Sequence, residues 1–218
     1  LTEQANAWFY KRNLSPINRV GDGSAAHLEA KFALLELVSS KPALALADHT
    51  QFLDLAGDGR PDVVQFAGAT PGFYERTLDD QWETFVPFVS LPNVNWSDPN
   101  LKFVDLDGDG HTDILISEDD AFVWHSSLGE AGFAAAHRTP KPWDEEKGPR
   151  LVFADGTQSI YLADLSGDGL TDLARIRNGE VCYWPNLGYG RFGAKVTMDN
   201  APLFDNPDQF DQKHVHLA

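Results

Sequence analysis

A nine-residue acidic pattern occurs three times in the 218-residue chain and constrains the fold more than any other feature. Its copies occupy residues 54–62, 105–113 and 164–172. Their starts are about 50 to 60 residues apart, a period typical of β-propeller blades. Apolar residues flank each copy, as expected of a loop between two strands. The repeat predicts an all-β fold built of propeller blades.

The segments between the loops also repeat. An aromatic strand is expected after each loop, around residues 73–74, 122–124 and 181–184. We therefore expect units around 43–90, 91–137 and 150–200. The extra length at 138–149 is expected to be an inserted surface loop, followed by a hairpin with Asp155 and Gly156 in its turn.

The two ends of the chain fit the repeat less well. Residues 1–42 are predicted to form a partial or closing blade, with a short strand at 8–10. Residues 25–40 match both a helical stripe and a strand face, and we favour strand because the context is β. Residues 201–218 end like the segment before the third loop, which predicts the start of a further repeat. The chain is expected to be a fragment of a larger propeller, with its blade number open.

The acidic loops predict calcium sites, because Ca²⁺ prefers several oxygen ligands around a tight turn. An EF-hand would need a carboxylate at the twelfth position, where Gln65, Ile116 and Arg175 stand instead. We expect side-chain oxygens from the first, third, fifth and ninth positions and a backbone carbonyl from the seventh. The expected ligands are Asp105, Asp107, Asp109, His111 and Asp113; Asp164, Ser166, Asp168, Leu170 and Asp172; and Asp54, Asp58, Arg60 and Asp62.

The three loops differ at their third position. The second loop has Asp107 there, the third has the neutral Ser166, and the first has Ala56, which offers no side-chain ligand. We expect two or three Ca²⁺ ions, with affinity falling from the second loop to the third and then the first. The alternative is a solvated turn without metal, most plausible for the first loop. Metal in such turns is expected to be structural.

The charge excludes one class of function. The chain carries 33 acidic and 17 basic residues, for a formal charge of −16. A nucleic-acid-binding protein needs a basic face, so we expect no nucleic-acid partner. No apolar run approaches the ~20 residues of a membrane helix, so no membrane insertion is expected. The loops contain ten of the aspartates, which makes much of the negative charge metal-site charge.

No catalytic constellation stands out, and we expect no enzymatic activity. Cys182, the single cysteine, is expected to be a buried thiol rather than a nucleophile. His214 and His216 alternate on a predicted strand but lack a third zinc ligand. Residues 144–147 are expected to form a solvated loop. The tryptophans are expected to pack between blades rather than form a sugar platform; they are Trp82, Trp96, Trp124, Trp143 and Trp184.

The loops resemble the FG-GAP/VCBS-type calcium repeats of integrin-like propellers. The segments between them, notably residues 71–76, 98–105, 183–193 and 200–211, resemble the propeller region of insecticidal toxin complex (Tc) B components and Spv-type virulence proteins. The similarity covers most of residues 45–218. In that family the propeller belongs to a secreted protein that encloses a toxic enzyme, docks on a pore-forming component and gates the release of the toxin.

This resemblance implies a secreted, calcium-binding module whose partners are other components of a toxin complex. The family's shell repeats and toxic domain have no counterpart in this sequence. The alternative that the sequence leaves open is an integrin-like adhesion module for a host protein or glycan. A further alternative is a piece of a secreted hydrolase whose catalytic groups lie elsewhere.

Overall fold

The computed structural model describes residues 1–21, 26–46, 50–79, 81–156, 159–206, 211–215 and 217. In these residues the regular elements are β-strands and two short 3₁₀ helices, Ser15–Ile17 and Gln212–His214. The all-β prediction is therefore confirmed. The chain forms two compact units, one of Leu1–Phe52 and Asp62–Pro87 and the other of Leu53–Pro61 and Phe88–Ala218.

The first unit begins with a three-stranded sheet and a two-stranded ribbon. The sheet contains β1 (Thr2–Gln4), β2 (Ala7–Tyr10) and β5 (Glu36–Leu37), and the ribbon pairs β3 (Arg19–Val20) with β4 (His27–Leu28). Trp8 on β2 is fully buried and meets Trp82 edge-on, with 6.3 Å between ring centroids. The predicted strand at 8–10 is confirmed. Residues 26–40 contain the two-residue strands β4 and β5 and no helix, as the β context favoured.

The next sheet follows the order of its strands along the chain. It contains β6 (Thr50–Leu53), β7 (Asp62–Gln65), β8 (Gly72–Tyr74) and β9 (Val86–Pro87). β-branched and aromatic residues favour strands at β7 and β8, and three of them, Val63, Val64 and Phe73, are completely buried. Pro87 is at the edge strand, where a missing backbone donor is tolerated.

The second unit contains two more four-stranded antiparallel sheets. One has β10 (Leu101–Val104), β11 (Asp113–Ser117), β12 (Ala121–His125) and β13 (His137–Pro140). The other has β14 (Ser159–Ala163), β15 (Asp172–Arg177), β16 (Glu180–Trp184) and β17 (Val196–Thr197). Each acidic loop connects the first two strands of a four-stranded meander, which is the architecture of a propeller blade. The predicted β-propeller fold class is confirmed.

The core of the second unit lies between these two blades. Alternate residues of β11 and β12 point toward it, including Leu115, Phe122 and Trp124. Leu173 and Trp184 contribute from the next blade, and both are fully buried. The phenyl rings of Phe122 and Phe192 lie 5.2 Å apart and tilted, the geometry that aromatic pairs prefer.

The segment 138–149 differs from the expected surface loop. Its first residues complete the blade as β13, because Arg138 pairs with Val123 across the ladder. The second blade therefore extends to Pro140, beyond the expected bound of 137. The segment then turns inward, and the ammonium of Lys141 is buried against Ser117 Oγ at 2.9 Å and the Leu151 carbonyl at 2.6 Å. The expectation of an inserted surface loop was wrong for residues 138–140, which belong to β13. Residues 141–149 contain no strand or helix, and residues 143, 144, 146 and 147 are exposed, as expected of a surface loop.

Two further local predictions were wrong. Residues 151–156 contain no strand, so Asp155 and Gly156 do not close a hairpin before β14. This stretch is fixed by side chains instead, since the Ala154 N–H donates to Asn100 Oδ1 at 2.8 Å. His214 lies in a 3₁₀ helix rather than a strand. The expected partner His216 is outside the described residues.

Candidate metal centre

In the second and third loops, the first aspartate organises the turn. Asp105 accepts the Gly108 N–H at 2.8 Å and the Gly110 N–H at 3.0 Å, one on each carboxylate oxygen. Asp164 does the same with Gly167 at 2.7 Å and Gly169 at 3.0 Å. All four glycines have positive φ, a conformation that costs a side-chain-bearing residue about 1–2 kcal/mol. The glycines are therefore required for the amides to converge on the carboxylate.

The fifth-position aspartates cap the second half of the turn. Asp109 Oδ1 accepts the His111 N–H at 2.8 Å, and Asp168 Oδ1 accepts the Leu170 N–H at 2.9 Å. Aspartate favours this local bond to a backbone amide two residues later. Each of these carboxylates is consequently held in one orientation at the exposed side of its loop.

The second loop brings three carboxylates together. Oxygens of Asp105, Asp107 and Asp109 all lie within 4.8 Å of one another. Asp107 Oδ1 is buried and has no hydrogen-bond partner in the described structure. Burial and the neighbouring Asp109 charge both raise the pKa of Asp107 above its usual value. An unpaired buried oxygen among carboxylates fits a hard divalent cation, which would supply the missing partner.

The third loop has the same backbone frame with a weaker donor set. Ser166 replaces the third-position acid, and its hydroxyl donates to Asp164 Oδ1 at 3.5 Å. The ligands expected there still include the carboxylates of Asp164 and Asp168. Their geometry matches the second loop, so the third loop fits Ca²⁺ with one charge fewer.

The ninth-position aspartates are buried at the first residue of the following strand. Asp113 accepts the Leu106 N–H at 3.1 Å and the Ser127 N–H at 2.7 Å. Burial raises the pKa of Asp113 to about 6, although these amide bonds oppose the rise. Asp172 accepts the Leu165 and Ser166 N–H groups at 2.9 and 2.7 Å. These carboxylates join the start of the loop to the end of the third strand.

The same bond recurs in all three blades. The Oδ1 atom accepts the backbone N–H fourteen residues later in each case: Asp62 from Arg76, Asp113 from Ser127 and Asp172 from Asn186. Asp113 is outside the group of carboxylates that converge within 4.8 Å. The ninth position stays a predicted ligand, and its hydrogen bonds in the structure give its carboxylate the further role of a structural clamp. The sequence signal for this hydrogen bond was that the ninth-position aspartate recurs at the same place in each repeat.

The first loop is arranged differently from the other two. Asp54 accepts the N–H groups of Asp58 at 3.1 Å and Gly59 at 2.7 Å, so one bond moves from the fourth to the fifth position. Asp58 accepts the Arg60 N–H at 2.9 Å and is also ion-paired with the Arg60 guanidinium. Ala56 contributes no oxygen at the third position. This loop does not fit a divalent cation as the others do.

The loops of the second unit also contact one another through their seventh-position side chains. A Cβ added to Gly57 would lie 3.0 Å from His111 Nε2, and one added to Gly108 would lie 2.8 Å from Leu170 Cδ2. Asn186 Nδ2 in turn donates to the Leu106 carbonyl at 3.1 Å. From the sequence we expected only a backbone carbonyl ligand at the seventh position. Its side chain covers the preceding loop, which periodicity alone does not reveal.

An ion-pair network anchors the 144–147 segment. Residues 144, 146 and 147 are exposed, as predicted for a solvated loop, and Glu145 is half-buried. Arg175 on β15 is 2% exposed, and Nη1 donates to Glu145 Oε2 at 2.9 Å. Lys195 Nζ lies 3.2 Å from Glu145 Oε1 and 3.1 Å from Glu146 Oε1. The hydrogen bond from Arg175 is the largest cause that lowers the pKa of Glu145 to about 2. The network fastens this segment to the third blade.

The other candidate groups have structural positions. Cys182 is fully buried on β16, and burial raises the pKa of its thiol, which agrees with an inert cysteine. Trp124 and Trp184 belong to the core between two blades, as predicted for packing residues. The packing prediction was wrong for Trp143, which is 88% exposed and lies under the Arg150 guanidinium, 4.4 Å from the ring centroid. Within the described residues, no helix is long and apolar enough to span a membrane.

The family model for the FG-GAP-like repeat matches residues 54–116 and, overlapping them, residues 105–175. Together these matches cover more than half of the chain. The chain belongs to the FG-GAP-like repeat family. Each FG-GAP-like match begins at the first aspartate of one loop and ends in the strand after the next. A comparison of the sequence with curated proteins found no match.

The FG-GAP-like repeats are similar in structure to part of a toxin assembly. The Photorhabdus luminescens Tc holotoxin pore matches 99% of this chain with a TM-score of 0.74 and 27% identity. The matched region is 9% of that protein's chain, so the present chain spans a small part of its relative. The resemblance to Tc propeller regions predicted from the sequence is confirmed.

Two more distant structures were also found. The TcdB2–TccC3 complex matches 93% of this chain and 12% of its own, with 19% identity and a TM-score of 0.45. An Agrocybe aegerita lectin that recognises non-reducing terminal N-acetylglucosamine matches 76% of this chain and 57% of its own, with 17% identity and a TM-score of 0.45. Scores at this level carry no argument about function.

Proposed function

We propose that this chain is a non-enzymatic, calcium-binding propeller module of a secreted Tc-type toxin. It docks on another protein component of the toxin complex and takes part in gating toxin release. The observation that carries this proposal is the match over 99% of the chain, at 27% identity, to part of a Tc holotoxin pore. A toxin assembly needs protein-protein surfaces from its propeller, and this chain offers an apolar one.

Calcium binding is supported by the second loop. Three converging carboxylates repel one another, and a divalent cation would offset this repulsion while pairing the buried Asp107 Oδ1. The ion would hold the turn between two blade strands, which is a structural role. Calcium at the millimolar levels found outside cells suits such modules, which agrees with secretion.

Docking is supported by apolar side chains on the first unit. Residues 13–21 and 26–35, here called the N-terminal ribbon, are held together by β3–β4 pairing and by bonds such as Leu14 N–H to the Lys31 carbonyl at 2.8 Å. It exposes large apolar side chains, including Ile17 (79%), Phe32 (60%) and Leu34 (87%). Two-stranded ribbons are marginally stable alone, and several large apolar side chains exposed on one ribbon support an interaction site there.

The docking proposal is tested by binding to the pore-forming component of the Photorhabdus luminescens Tc toxin, measured by surface plasmon resonance with calcium present. We expect Phe32→Ser with Leu34→Ser to weaken binding by at least about tenfold, because each removes apolar contact area. Val89→Ser is the matched control, because Val89 lies in the other unit and is 87% exposed, the same as Leu34. Binding that is unchanged in the double variant would refute docking through this ribbon.

The calcium proposal has its own experiment. Isothermal titration of the metal-free chain with CaCl₂ is expected to show binding that Asp107→Asn weakens. If the wild-type chain takes up no calcium at millimolar concentration, the calcium part of the proposal is refuted.

A further inference from the structure

The first acidic loop has the repeat signature but a different solution to its negative charge. We propose that the Arg60 guanidinium replaces the divalent cation in this loop, so that residues 54–60 form a calcium-independent turn. The inference rests on the proposed calcium function of the other two loops and concerns the loop that departs from them.

The donor set of the first loop is incomplete. The second loop gathers Asp105, Asp107 and Asp109 and leaves a buried oxygen of Asp107 unpaired. In the first loop Ala56 stands at the position of Asp107, so the corresponding oxygen does not exist. A cation here would lose one charged ligand and need water in its place.

The remaining fifth-position carboxylate is already occupied. Asp58 Oδ1 accepts the Arg60 backbone N–H at 2.9 Å, and Asp58 Oδ2 accepts the Arg60 guanidinium. In the third loop the corresponding residue is Leu170, which offers Asp168 no charge. Calcium would therefore have to displace a covalently tethered cation from Asp58 and then lie beside it, which like-charge repulsion disfavours.

The loop backbone has adjusted to this arrangement. Asp54 Oδ1 accepts the Asp58 N–H at 3.1 Å, whereas Asp105 and Asp164 use the amide one residue earlier. The His111 ring packs on the loop at Gly57, where an added Cβ would be 3.0 Å from Nε2. The loop is therefore closed by groups of the protein itself.

A calcium-free double-mutant cycle tests the role of Arg60. The variants Arg60→Leu, Asp58→Asn and their combination are unfolded thermally in EGTA, with Lys in place of Arg60 as the charge-retaining control. Because the pair is partly exposed, we expect Arg60→Leu to lower Tm by roughly 2 °C, and less when Asp58 is already Asn. Equal losses in both backgrounds would show no coupling and overturn the proposal.

Calcium stoichiometry tests the same proposal from the other side. Asp54→Asn with Asp58→Asn is expected to leave the number of bound ions unchanged, and Asp105→Asn with Asp109→Asn to remove one. The double variant Ala56→Asp, Arg60→Leu is expected to bind one additional ion. It has the residue of the second loop at the third position and the residue of the third loop at the seventh position. Loss of an ion in the first double variant would overturn the inference.

The two experiments separate this inference from the proposed function. Absence of calcium in the wild-type chain would refute the calcium proposal, while the EGTA cycle would still decide the role of Arg60. Terbium uptake by the Ala56→Asp, Arg60→Leu variant, with circular dichroism as the folding check, then shows whether the loop gains a site. Failure of a folded variant to gain any lanthanide site would count against replacement of the metal by Arg60.

Discussion

The substitution Asp172→Ala is expected to be strongly destabilising whether or not calcium is present. Asp172 is fully buried and accepts three backbone N–H groups, from Leu165, Ser166 and Asn186, at 2.7 to 2.9 Å. Alanine would leave these three donors without an acceptor. If each unpaired buried donor costs about 1–3 kcal/mol, the sum is about 3–9 kcal/mol. Water entering the vacated space reduces the loss, so we expect about 3 kcal/mol.

The assay is urea unfolding followed by tryptophan fluorescence and circular dichroism, in EGTA and again in calcium. Trp184 pairs with Leu173 in the same sheet, so its fluorescence reports on the blade concerned. The free energy of unfolding is obtained by linear extrapolation, with the slope compared between variants. We expect the loss of about 3 kcal/mol in both buffers, because it comes from backbone amides.

Asp168→Asn is the matched control in the same loop. Asp168 accepts one amide, from Leu170, and asparagine keeps a carbonyl oxygen for that bond. We expect this variant to be as stable as wild type in EGTA and to lose the part of the stabilisation by calcium that comes from the third loop. The reasoning is refuted if Asp172→Ala costs less than about 1 kcal/mol in EGTA, since a clamp cannot depend on metal.

Three further predictions concern residues outside the loops. The pKa of Glu145 is lowered to about 2, so its ion pair with Arg175 stabilises the fold fully above the unfolded-state pKa of 4.5. This stabilisation is lost as the pH falls from 4.5 toward 2. Acid titrations of unfolding should therefore show the stability difference between wild type and Glu145→Gln shrinking in this pH window. Burial lowers the pKa of Lys141 from 10.5 to about 8, so between pH 8 and 10.5 the unfolded chain binds more protons than the folded chain. The free energy of unfolding should therefore rise across this pH range, and it should rise more in wild type than in Lys141→Met. Gly132→Ala would place a Cβ 1.9 Å from the Ser90 carbonyl oxygen and should lower Tm far more than Gly110→Ala. Gly110 also has positive φ, but a Cβ added there would meet nothing within 4 Å. Equal losses of Tm in the two variants would contradict this packing argument.

The repeated part of the fold was predictable from the sequence because its signal was local. Apolar residues before and after each loop became strands, and a glycine at the fourth and sixth positions implied the turn that Asp105 and Asp164 organise. Alternation along 122–124 and 181–184 indicated strands, and the context predicted that Trp124 and Trp184 pack between blades. The resemblance of the intervening segments to Tc propellers was carried by sequence as well.

The segment 138–149 shows why other features escaped prediction. Its charged residues, from Arg138 to Glu146, look solvated when only neighbours in sequence are considered. Their partners lie far along the chain, since Glu145 pairs with Arg175 and Lys141 bonds to Ser117. Burial of Lys141 is decided by such distant partners, so composition could not distinguish this buried charge from the exposed charges at 144, 146 and 147.

The division between sequence and tertiary structure is sharpest at the acidic loops. The order of residues by itself determined where the turns occur and which loop is richest in carboxylates, because turn formation needs only neighbouring glycines and aspartates. Only the folded chain decided what each carboxylate does. Asp107 keeps a buried oxygen without a partner, Asp172 clamps amides that are distant in sequence, and Asp58 is neutralised by Arg60. An unpaired buried oxygen, a clamp and an ion pair are all formed by the same residue type, and the groups that surround each aspartate after folding distinguish them.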